Sequence, residues 1–388
     1  MTNKNNNLEL EKSHYNELKN IYVKGQKGSL GIYAKMVSHN YNKKEIKETE
    51  NIDFIRENKR RELRKETFKL QRKAAELLPY FRVSKCLWAV YSIEEPINII
   101  HNTVTKRARF TNLQTCGSVW SCPCCSNHIS EKRKDELNTL LAYSRKEKFF
   151  PIMLTLTVKH SVDCNIKYLL ESLKKAKKRL VQHRGYKKVR EKLIGTVTAT
   201  EVTGGGTNGW HPHFHIIMIL KTDTEEEALA LVETLKQPWL VSLKAEKLEG
   251  SDAAFQAQNA SAAGKYIAKW GVAEELALSG KKKGRAGRTP FQLLADYANN
   301  DDYKAGHLFK EYSIAFKGKN QLVWSPGLKS LAKIQEMNDE KIAAYEAKKF
   351  EELKHDRIVK SFNAFEWKTV RQKRAELLDE AEKSNTQE

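Results

Sequence analysis

Three histidines fall within five residues of the stretch GWHPHFHIIMIL, which covers positions 209–220. Residues two apart in a strand point to the same face, so His213 and His215 would project together from this apolar segment. Two adjacent imidazoles can chelate one divalent ion, and a hairpin would bring the carboxylate of Glu201 beside them. Three such ligands leave positions open for water or a phosphate oxygen, which is typical of a catalytic metal site.

Two alternatives to this interpretation stay open. The first is that the stretch is an ordinary strand with surface histidines. The second concerns His211, which lies on the same face but further out. A peripheral DNA contact and the absence of any function are equally favoured for this residue.

A second motif, AGKYIAKWG, could supply a nucleophile. Tyr266 and Lys269 are three residues apart on a predicted helix and therefore share one face. Tyrosine can attack a phosphate when its phenolate is favoured, and a nearby lysine and a divalent cation both favour the phenolate. The alternative is that Tyr266 is one structural tyrosine among 14.

Four of the six cysteines crowd into the stretch CGSVWSCPCC. In a reducing compartment, clustered cysteines indicate metal more than disulfides. A structural Zn²⁺ site would use Cys86, Cys116, Cys122 and Cys125, of which the last two have C-x-x-C spacing. Cys124 offers an alternative register and His128 a spare ligand, whereas Cys164 is expected to be a buried or free thiol.

The segments around these motifs predict an α+β fold. FFPIMLTLTVKH, IGTVTATEVT and HPHFHIIMIL are typical of strands, the last two joined by the turn GGGTNG. With the helices predicted between and after them, the order strand–helix–strand–strand–helix favours a central antiparallel sheet flanked by helices. The Ala-rich residues 252–275 are predicted to be helical, as is the charged tail beyond about residue 328.

Composition divides the chain into five predicted segments. They are a charged, partly disordered and helical N-terminal arm (1–75), a cysteine-rich zinc-binding subdomain (76–145), the domain that carries the histidine and tyrosine motifs (146–275), a basic loop with a helical segment (276–330) and a charged helical C-terminal tail (331–388).

The net charge of +21 predicts a polyanionic partner, most simply nucleic acid. An anionic membrane surface is the rival, but we find no apolar stretch of about 20 residues and no apolar signal core. We therefore expect a cytoplasmic protein. Several basic runs could contact phosphates, including residues 174–179. The favoured DNA-binding residues are those of the glycine-rich loop, Lys281, Lys282, Lys283, Arg285 and Arg288.

In this order, TLTVKH, EVTGGGTNGWHPHFHIIM and GKYIAKW resemble the three motifs of the HUH endonucleases, and more narrowly those of rolling-circle plasmid replication initiators (Rep proteins). The resemblance implies an HUH-type fold and a metal site at His213 and His215, with Mg²⁺ or Mn²⁺ as the ion. It implies that Tyr266, assisted by Lys269, nicks and rejoins plasmid origin DNA through a 5′-phosphotyrosine. The substrate would be a hairpin or single-stranded nick site, and a host helicase and DNA polymerase would complete replication.

The sequence departs from this family at one position and leaves several alternatives open. Some Rep proteins carry a glutamate four residues before the tyrosine, where this chain has Ala262. A second protomer's Tyr266 could terminate the reaction instead, so a homodimer stays open, and Glu274 and Glu275 are weaker candidates. Rival functions are an HUH transposase or relaxase, a hydrolytic metal-dependent nuclease, and a zinc-containing DNA-binding regulator without catalysis.

Overall fold

The computed structural model describes residues 45–206, 209–259, 287–349 and 355–383. The chain divides into two units, Met1–Arg60 and Arg61–Glu388. The first helix, α1 (Glu45–Leu77), begins in the first unit and continues into the second. It confirms the charged helix predicted for this part of the sequence. The five segments predicted from composition stay a prediction.

Eight strands are described, and they form two sheets. They are β1 (Ile97–Asn102), β2 (Arg107–Phe110), β3 (Phe150–Thr157), β4 (Leu193–Gly206), β5 (Gly209–Leu220), β6 (Phe255–Gln258), β7 (Leu322–Trp324) and β8 (Asp356–Phe362). One sheet has the order β2-β1-β8 and the other the order β6-β3-β5-β4-β7. All their pairings are antiparallel. The predicted α+β class with a central antiparallel sheet is therefore confirmed.

Eleven further α-helices are described. They are α2 (Pro123–Lys146), α3 (Ile166–Gln182), α4 (Tyr186–Lys192), α5 (Glu225–Glu233), α6 (Lys236–Ala245), α7 (Pro290–Asn300), α8 (Tyr303–Phe316), α9 (Leu328–Leu331), α10 (Asp339–Lys349), α11 (Ala364–Val370) and α12 (Arg374–Lys383). None of the helices within these described ranges combines the length and apolar character that crossing a membrane requires.

The two faces of the five-stranded sheet have different environments. On β5, Phe214 and Ile216 belong to a large core that also contains the buried residues of α3, α7 and α8. Ile217 and Ile219 point to the opposite face and pack in a smaller core with residues of α2 and α9. That smaller core covers only the later part of β5. The earlier, odd-numbered positions of β5, which carry the histidines, therefore lie on the same face beyond the apolar packing.

A tight hairpin joins β4 and β5, as the glycine-rich sequence predicts. Gly205 and Gly209 both have positive φ, at 73° and 76°, a backbone conformation that glycine adopts without steric cost. Gly204 meets a second constraint, since a Cβ there would lie 2.3 Å from the Trp210 ring. The hairpin fixes the register between Glu201 and the histidine strand.

Two helical predictions are wrong in part. Within the Ala-rich segment 252–275, residues 255–258 form the edge strand β6, which pairs with β3 and buries Phe255. Residues 260–275 lie outside the described ranges. Within the tail beyond 328, residues 356–362 form β8, which pairs with β1. In both places a sheet edge supplies hydrogen-bond partners that outweigh the local helical preference.

The pattern of TEEEALALVETLKQPWL predicts one helix with an acidic first turn, but the segment forms two helices, α5 and α6. The acidic first turn is confirmed, because Glu225, Glu226 and Glu227 begin α5. Thr224 caps this helix, its side chain accepting a hydrogen bond from the Glu227 amide.

The three-stranded sheet packs on the C-terminal helices. Its inner side buries Ile97, Ile99 and Phe362 against Trp367 of α11 and Leu378 of α12. The indole nitrogen of Trp367 donates to the carbonyl of Trp88 at 3.1 Å. The C-terminal residues thus form a core with the segment that leads into the cysteine cluster.

Candidate metal centres

The β4–β5 hairpin brings one carboxylate to two imidazoles. Glu201 is the direct cross-strand partner of His213, and His215 lies two residues further along the same face. Oε2 of Glu201 is 3.4 Å from Nε2 of His213 and 3.4 Å from Nε2 of His215. All three side chains are half-buried. The three ligand atoms therefore converge on one point that solvent or a substrate can reach.

Hydrogen bonds at the opposite ring nitrogens orient both imidazoles. Nδ1 of His213 lies 3.3 Å from the backbone carbonyl of His211, which can only accept, so this nitrogen is the donor. Nδ1 of His215 lies 3.0 Å from the hydroxyl of Thr155 on β3. Such contacts behind a ligating histidine fix its tautomer and direct its Nε2 lone pair toward the ion.

The electrostatics favour an ionised carboxylate. Burial alone would raise the pKa of Glu201, but the hydrogen bonds and charges of His213 and His215 hold it well below its usual range. A deprotonated carboxylate between two imidazole nitrogens is the protonation state that a divalent cation requires.

The donor set fits a divalent transition ion. The carboxylate oxygen lies 3.4 Å from each imidazole nitrogen, and all three ligand atoms lie within 4.8 Å of one another. At such spacings all three can lie about 2.1 Å from one ion. Imidazole nitrogen is a poorer ligand for Mg²⁺, which prefers oxygen, than for first-row transition metals. Of the two ions expected from the sequence, Mn²⁺ therefore fits these residues better.

His211 contacts His160 and Thr157 rather than Glu201. Its ring stacks on His160 with centroids 4.5 Å apart, and its Nε2 lies 2.6 Å from the hydroxyl of Thr157. Burial, followed by the neighbouring His213 and His160, lowers the pKa of His211 to about 4. His211 is thus a neutral ring that supports the site from the side and is not part of the converging group.

The four cysteines chosen from the sequence lie together. The sulfur atoms of Cys86, Cys116, Cys122 and Cys125 all lie within 4.8 Å of one another, and all four residues are buried. Cys124 and His128 are not part of this group. The difference arises because α2 begins directly after Cys122, so that Cys125 in its first turn faces back toward the cluster. Cys164, expected to be a buried or free thiol, is a half-buried free thiol.

This cysteine set fits a structural zinc. Four thiolates in a closed, buried arrangement are the usual ligands of structural Zn²⁺. Hydrogen bonds from Cys116, Cys122 and Cys86 hold the pKa of Cys125 well below its usual range. The pKa values of Cys86 and Cys122 are raised, for Cys122 chiefly by burial. The hydrogen bonds within the cluster therefore favour the thiolate form of Cys125.

Arg288 has a structural environment that the sequence did not predict. Nη1 of its guanidinium forms ion pairs with Asp296 at 2.7 Å and Asp302 at 2.8 Å. Burial would lower the pKa of Arg288, but these two carboxylates raise it overall. Its backbone amide and carbonyl both bond to Gly204, at the end of the β4–β5 hairpin. Arg288 therefore holds the start of α7 against the hairpin.

The remaining predicted site residues lie outside the described ranges. They are Tyr266, Lys269, Lys281, Lys282, Lys283 and Arg285. Conversely, sequence reasoning missed Thr155 and Thr157, which contact the histidines from the neighbouring strand. Their signal was the alternation in TLT of the TLTVKH motif, which places both hydroxyls on one face.

Comparison with known proteins matches the segment that carries most of these ligands. Residues 107–233 match the model of a family described as replication protein. This segment is therefore similar to that family. It includes Glu201, His213 and His215 and three of the four clustered cysteines, whereas Cys86 and Tyr266 lie outside the match.

Three individual relatives are similar to parts of this chain. "Protein rep" of Streptomyces lividans is 27% identical over 168 residues, which are 36% of this chain and 37% of the relative. A "Neomycin resistance protein" of Streptomyces cyanogenus is 24% identical over 153 residues, 33% of this chain and 35% of the relative. "Protein rep" of Lactiplantibacillus plantarum is 34% identical over 106 residues, 26% of this chain and 32% of the relative. The chain thus spans about a third of the length of each relative, and no solved structure matches it.

Proposed function

We propose that the protein initiates rolling-circle plasmid replication by nicking and rejoining one strand at the plasmid origin. The observation that carries this proposal is the convergence of Glu201, His213 and His215 within the segment that matches the replication protein family, with the carboxylate 3.4 Å from each imidazole nitrogen. The site is half-buried, which suits a strand of DNA as the substrate. The net charge of +21 supports a nucleic-acid partner. We also propose that the five-stranded sheet is of the HUH type.

In the proposed reaction, Tyr266 is the nucleophile. Its phenolate oxygen attacks the scissile phosphorus, the bond from phosphorus to the 3′ oxygen breaks, and that oxygen leaves and takes up a proton. The products are a 5′-phosphotyrosine and a free 3′-OH that a host polymerase can extend. No water is consumed, so the 3′-OH can attack the phosphotyrosine and restore the strand.

The described residues prepare the site for this reaction. Glu201, His213 and His215 would hold a divalent ion, which when bound neutralises charge on the phosphate oxygens. Thr155 fixes the orientation of His215 through the 3.0 Å contact to Nδ1. Lys269 would lie near the phosphate and favour the phenolate form of Tyr266.

The cysteine cluster and the basic loop have supporting roles in this proposal. A Zn²⁺ held by the four cysteines would fix the start of α2, whose later residues Leu137 and Leu140 pack on the sheet face that carries the histidines. Lys281, Lys282, Lys283 and Arg285 would contact DNA phosphates. A host helicase would unwind the duplex, and a second protomer remains a candidate for the terminating step.

A covalent-adduct assay tests the proposal. Purified protein is incubated with supercoiled cognate plasmid and Mn²⁺, stopped in detergent and digested, and the modified peptide is identified by mass. We expect a nucleotide on Tyr266 in the wild type and none in Tyr266→Phe. The matched control is Tyr168→Phe, because Tyr168 is exposed on α3 and has no proposed role.

The other outcomes separate the rival functions. Nicked plasmid without attached protein would indicate a hydrolytic nuclease that uses the same metal site. Plasmid binding without nicking would favour the non-catalytic DNA-binding regulator. Either result contradicts the tyrosine mechanism.

A further inference from the structure

A cavity of about 630 Å³ lies where several distant segments of the chain meet. Most of its lining comes from residues 80–83, 117–121, 317–320 and 336–341. Gly117 allows two of these segments to approach closely, because a Cβ at this position would lie 2.9 Å from the Cα of Glu340. The volume is within the range of about 300–1,000 Å³ that is usual for sites of small organic ligands.

Aromatic side chains form part of the cavity wall. Tyr80 is 97% exposed, so nearly its whole ring is open to a ligand. Trp120 is held in place, because its ring packs on Phe316 with centroids 4.7 Å apart and its Nε1 donates to the carbonyl of Lys319 at 2.6 Å. Such rings stack on nucleobases of any sequence, because every base has a π face.

The cavity wall is also basic, with six basic and three acidic residues. Two of the three carboxylates are neutralised by ion pairs of 2.8 Å, Asp339 with Arg133 and Glu340 with Arg82. The ammonium of Lys317 lies 4.8 Å from the centroid of the Phe81 ring, which keeps it at the wall. Lys317 and Lys319 are both exposed, and neither forms an ion pair with another residue that the structure describes. Both can therefore contact a phosphate.

The cavity adjoins the sheet face that carries the candidate metal ligands. Its residue Leu322 on β7 is the direct cross-strand partner of Ala199 on β4, and the partner of Ala199 on β5 is His215. Directly opposite residues share a face, and so do Ala199 and Glu201, which are two residues apart. Because neighbouring strands lie about 4.8 Å apart, Leu322 is about 10 Å from His215 across the sheet. A DNA strand at the metal site can therefore also reach the cavity.

We propose that the cavity binds one nucleotide of the single-stranded DNA whose scissile phosphate lies at the metal site. The base stacks on Tyr80 and Trp120, and Lys317 and Lys319 contact the flanking phosphates. Neither kind of contact depends on the identity of the base, so the cavity positions the strand and does not select the origin sequence. The inference rests on the proposed function, because that function supplies the strand.

The test measures the binding of an oligothymidine of about 16 nucleotides. It carries no origin sequence, so its binding is measured without nicking. Fluorescence anisotropy should show about 5- to 100-fold weaker binding in Tyr80→Ala, because one base loses its stacking partner. Tyr80→Phe keeps the ring and should bind like the wild type. Tyr91→Ala is the matched control and should also bind like the wild type, because Tyr91 is 81% exposed and does not line the cavity.

The phosphate contact is tested by the dependence of affinity on salt. Lys319→Met should reduce the slope of log affinity against log salt by about 0.7, the value for one phosphate contact to a single strand. Lys310→Met should leave the slope unchanged, since Lys310 is exposed on α8 and does not line the cavity. An equal change in both variants would show that Lys319 contributes only to the general charge of the surface.

Wild-type affinity in Tyr80→Ala would overturn the inference, as would an equal loss in Tyr91→Ala. Equally tight binding of thymidine monophosphate and the oligothymidine would contradict a site for a DNA strand. If Tyr80→Ala does not fold, photocrosslinking of the wild type to an oligothymidine with one 5-iodouracil decides. A crosslink to Tyr80 or Trp120 would support the inference, and crosslinks only outside the cavity would contradict it.

Failure of this inference is distinguishable from failure of the proposed function. A nucleotide on Tyr266 in the adduct assay, with no loss of oligothymidine binding in Tyr80→Ala, would contradict the cavity alone. Weaker binding in Tyr80→Ala, with no adduct on Tyr266, would support the nucleotide site and contradict the nicking reaction.

Discussion

The hydroxyl of Thr155 lies 3.0 Å from Nδ1 of His215, and Nε2 of the same ring lies 3.4 Å from the carboxylate of Glu201. One imidazole therefore connects a side chain on β3 with a side chain on β4. Since a neutral ring has one protonated and one unprotonated nitrogen, the contact at Nδ1 affects the electron pair at Nε2. Thr155 acts through His215 and is a positioning residue.

Thr155→Val should weaken the metal site without removing a ligand. We expect about 10-fold weaker Mn²⁺ binding, because the His215 ring loses its orienting partner. Thr155→Ser keeps the hydroxyl and should restore affinity to near the wild-type value. Isothermal titration with Mn²⁺ checks this, with Thr139→Val on the exposed side of α2 as the control. Weakened binding in the serine variant to the same extent would contradict an orienting role.

The two neighbouring cysteines at the start of α2 should behave differently. Cys125→Ser removes a member of the sulfur cluster and should abolish stoichiometric zinc, whereas Cys124→Ser should retain it. Both side chains are buried and one residue apart, so each controls for the other. Zinc content by atomic emission and the thermal unfolding midpoint are the measurements. Zinc retained in Cys125→Ser would show that Cys124 is the ligand.

Arg288 should contribute to stability more than to DNA affinity. Arg288→Met leaves Asp296 and Asp302 without their ion pair, and we expect a loss of about 1–3 kcal/mol in the free energy of unfolding. The dependence of DNA affinity on salt should stay unchanged. Neutralising Lys281, Lys282, Lys283 and Arg285 together should instead reduce the slope of log affinity against log salt by up to about 3. If Arg288→Met instead reduced the slope of log affinity against log salt and left the free energy of unfolding unchanged, Arg288 would be shown to bind DNA.

Lys177 should make stability depend on pH in alkaline solution. It lies within the basic run 174–179 that could contact phosphates, but its ammonium donates to Thr198 at 2.6 Å beneath the sheet. Burial, followed by the charge of Lys174, lowers its pKa from 10.5 to about 8. Between these pH values the unfolded chain binds a proton that the folded chain does not, so stability rises with pH. The gain is at most about 3 kcal/mol.

The measurement for Lys177 is urea unfolding between pH 7 and 10.5. Relative to that of Lys177→Met, the free energy of unfolding of the wild type should rise over this range. Below pH 8 the free energies of the two proteins should change with pH to nearly the same extent. Lys178→Met, on the exposed side of the same helix, should follow the wild type at every pH. A constant difference between the wild type and Lys177→Met would show that the lysine does not titrate in this range.

The candidate metal site could be predicted because its residues follow a local rule. Period-two alternation places His213 and His215 on one face, and a hairpin with glycines places Glu201 opposite. The contact of Thr155 could not be predicted in the same way, because it depends on β3 being the other neighbour of β5. Likewise, the ion pairs of Arg288 depend on how α7 and α8 meet, which no spacing in the sequence encodes.

The fold could be predicted where the hydrophobic pattern is strong and not where strands form at edges. Five successive residues of β8 are exposed, so its sequence lacks the alternation that marks a half-buried strand. The four residues of β6 lie within an Ala-rich segment, and alanine has a high helical propensity. In each case the partner strand determines the conformation, and that partner is distant in sequence.

The pairing of β1 with β8 also has a consequence for how the chain folds during synthesis. Asn102 donates to Asp356 across the sheet, and these residues are 254 positions apart. Contacts of such long sequence separation form slowly, and this one must wait until β8 has left the ribosome. Until then β1 has an open edge, which is prone to pairing with other chains. Chains that terminate before residue 356 should therefore aggregate, even though they contain every candidate metal ligand.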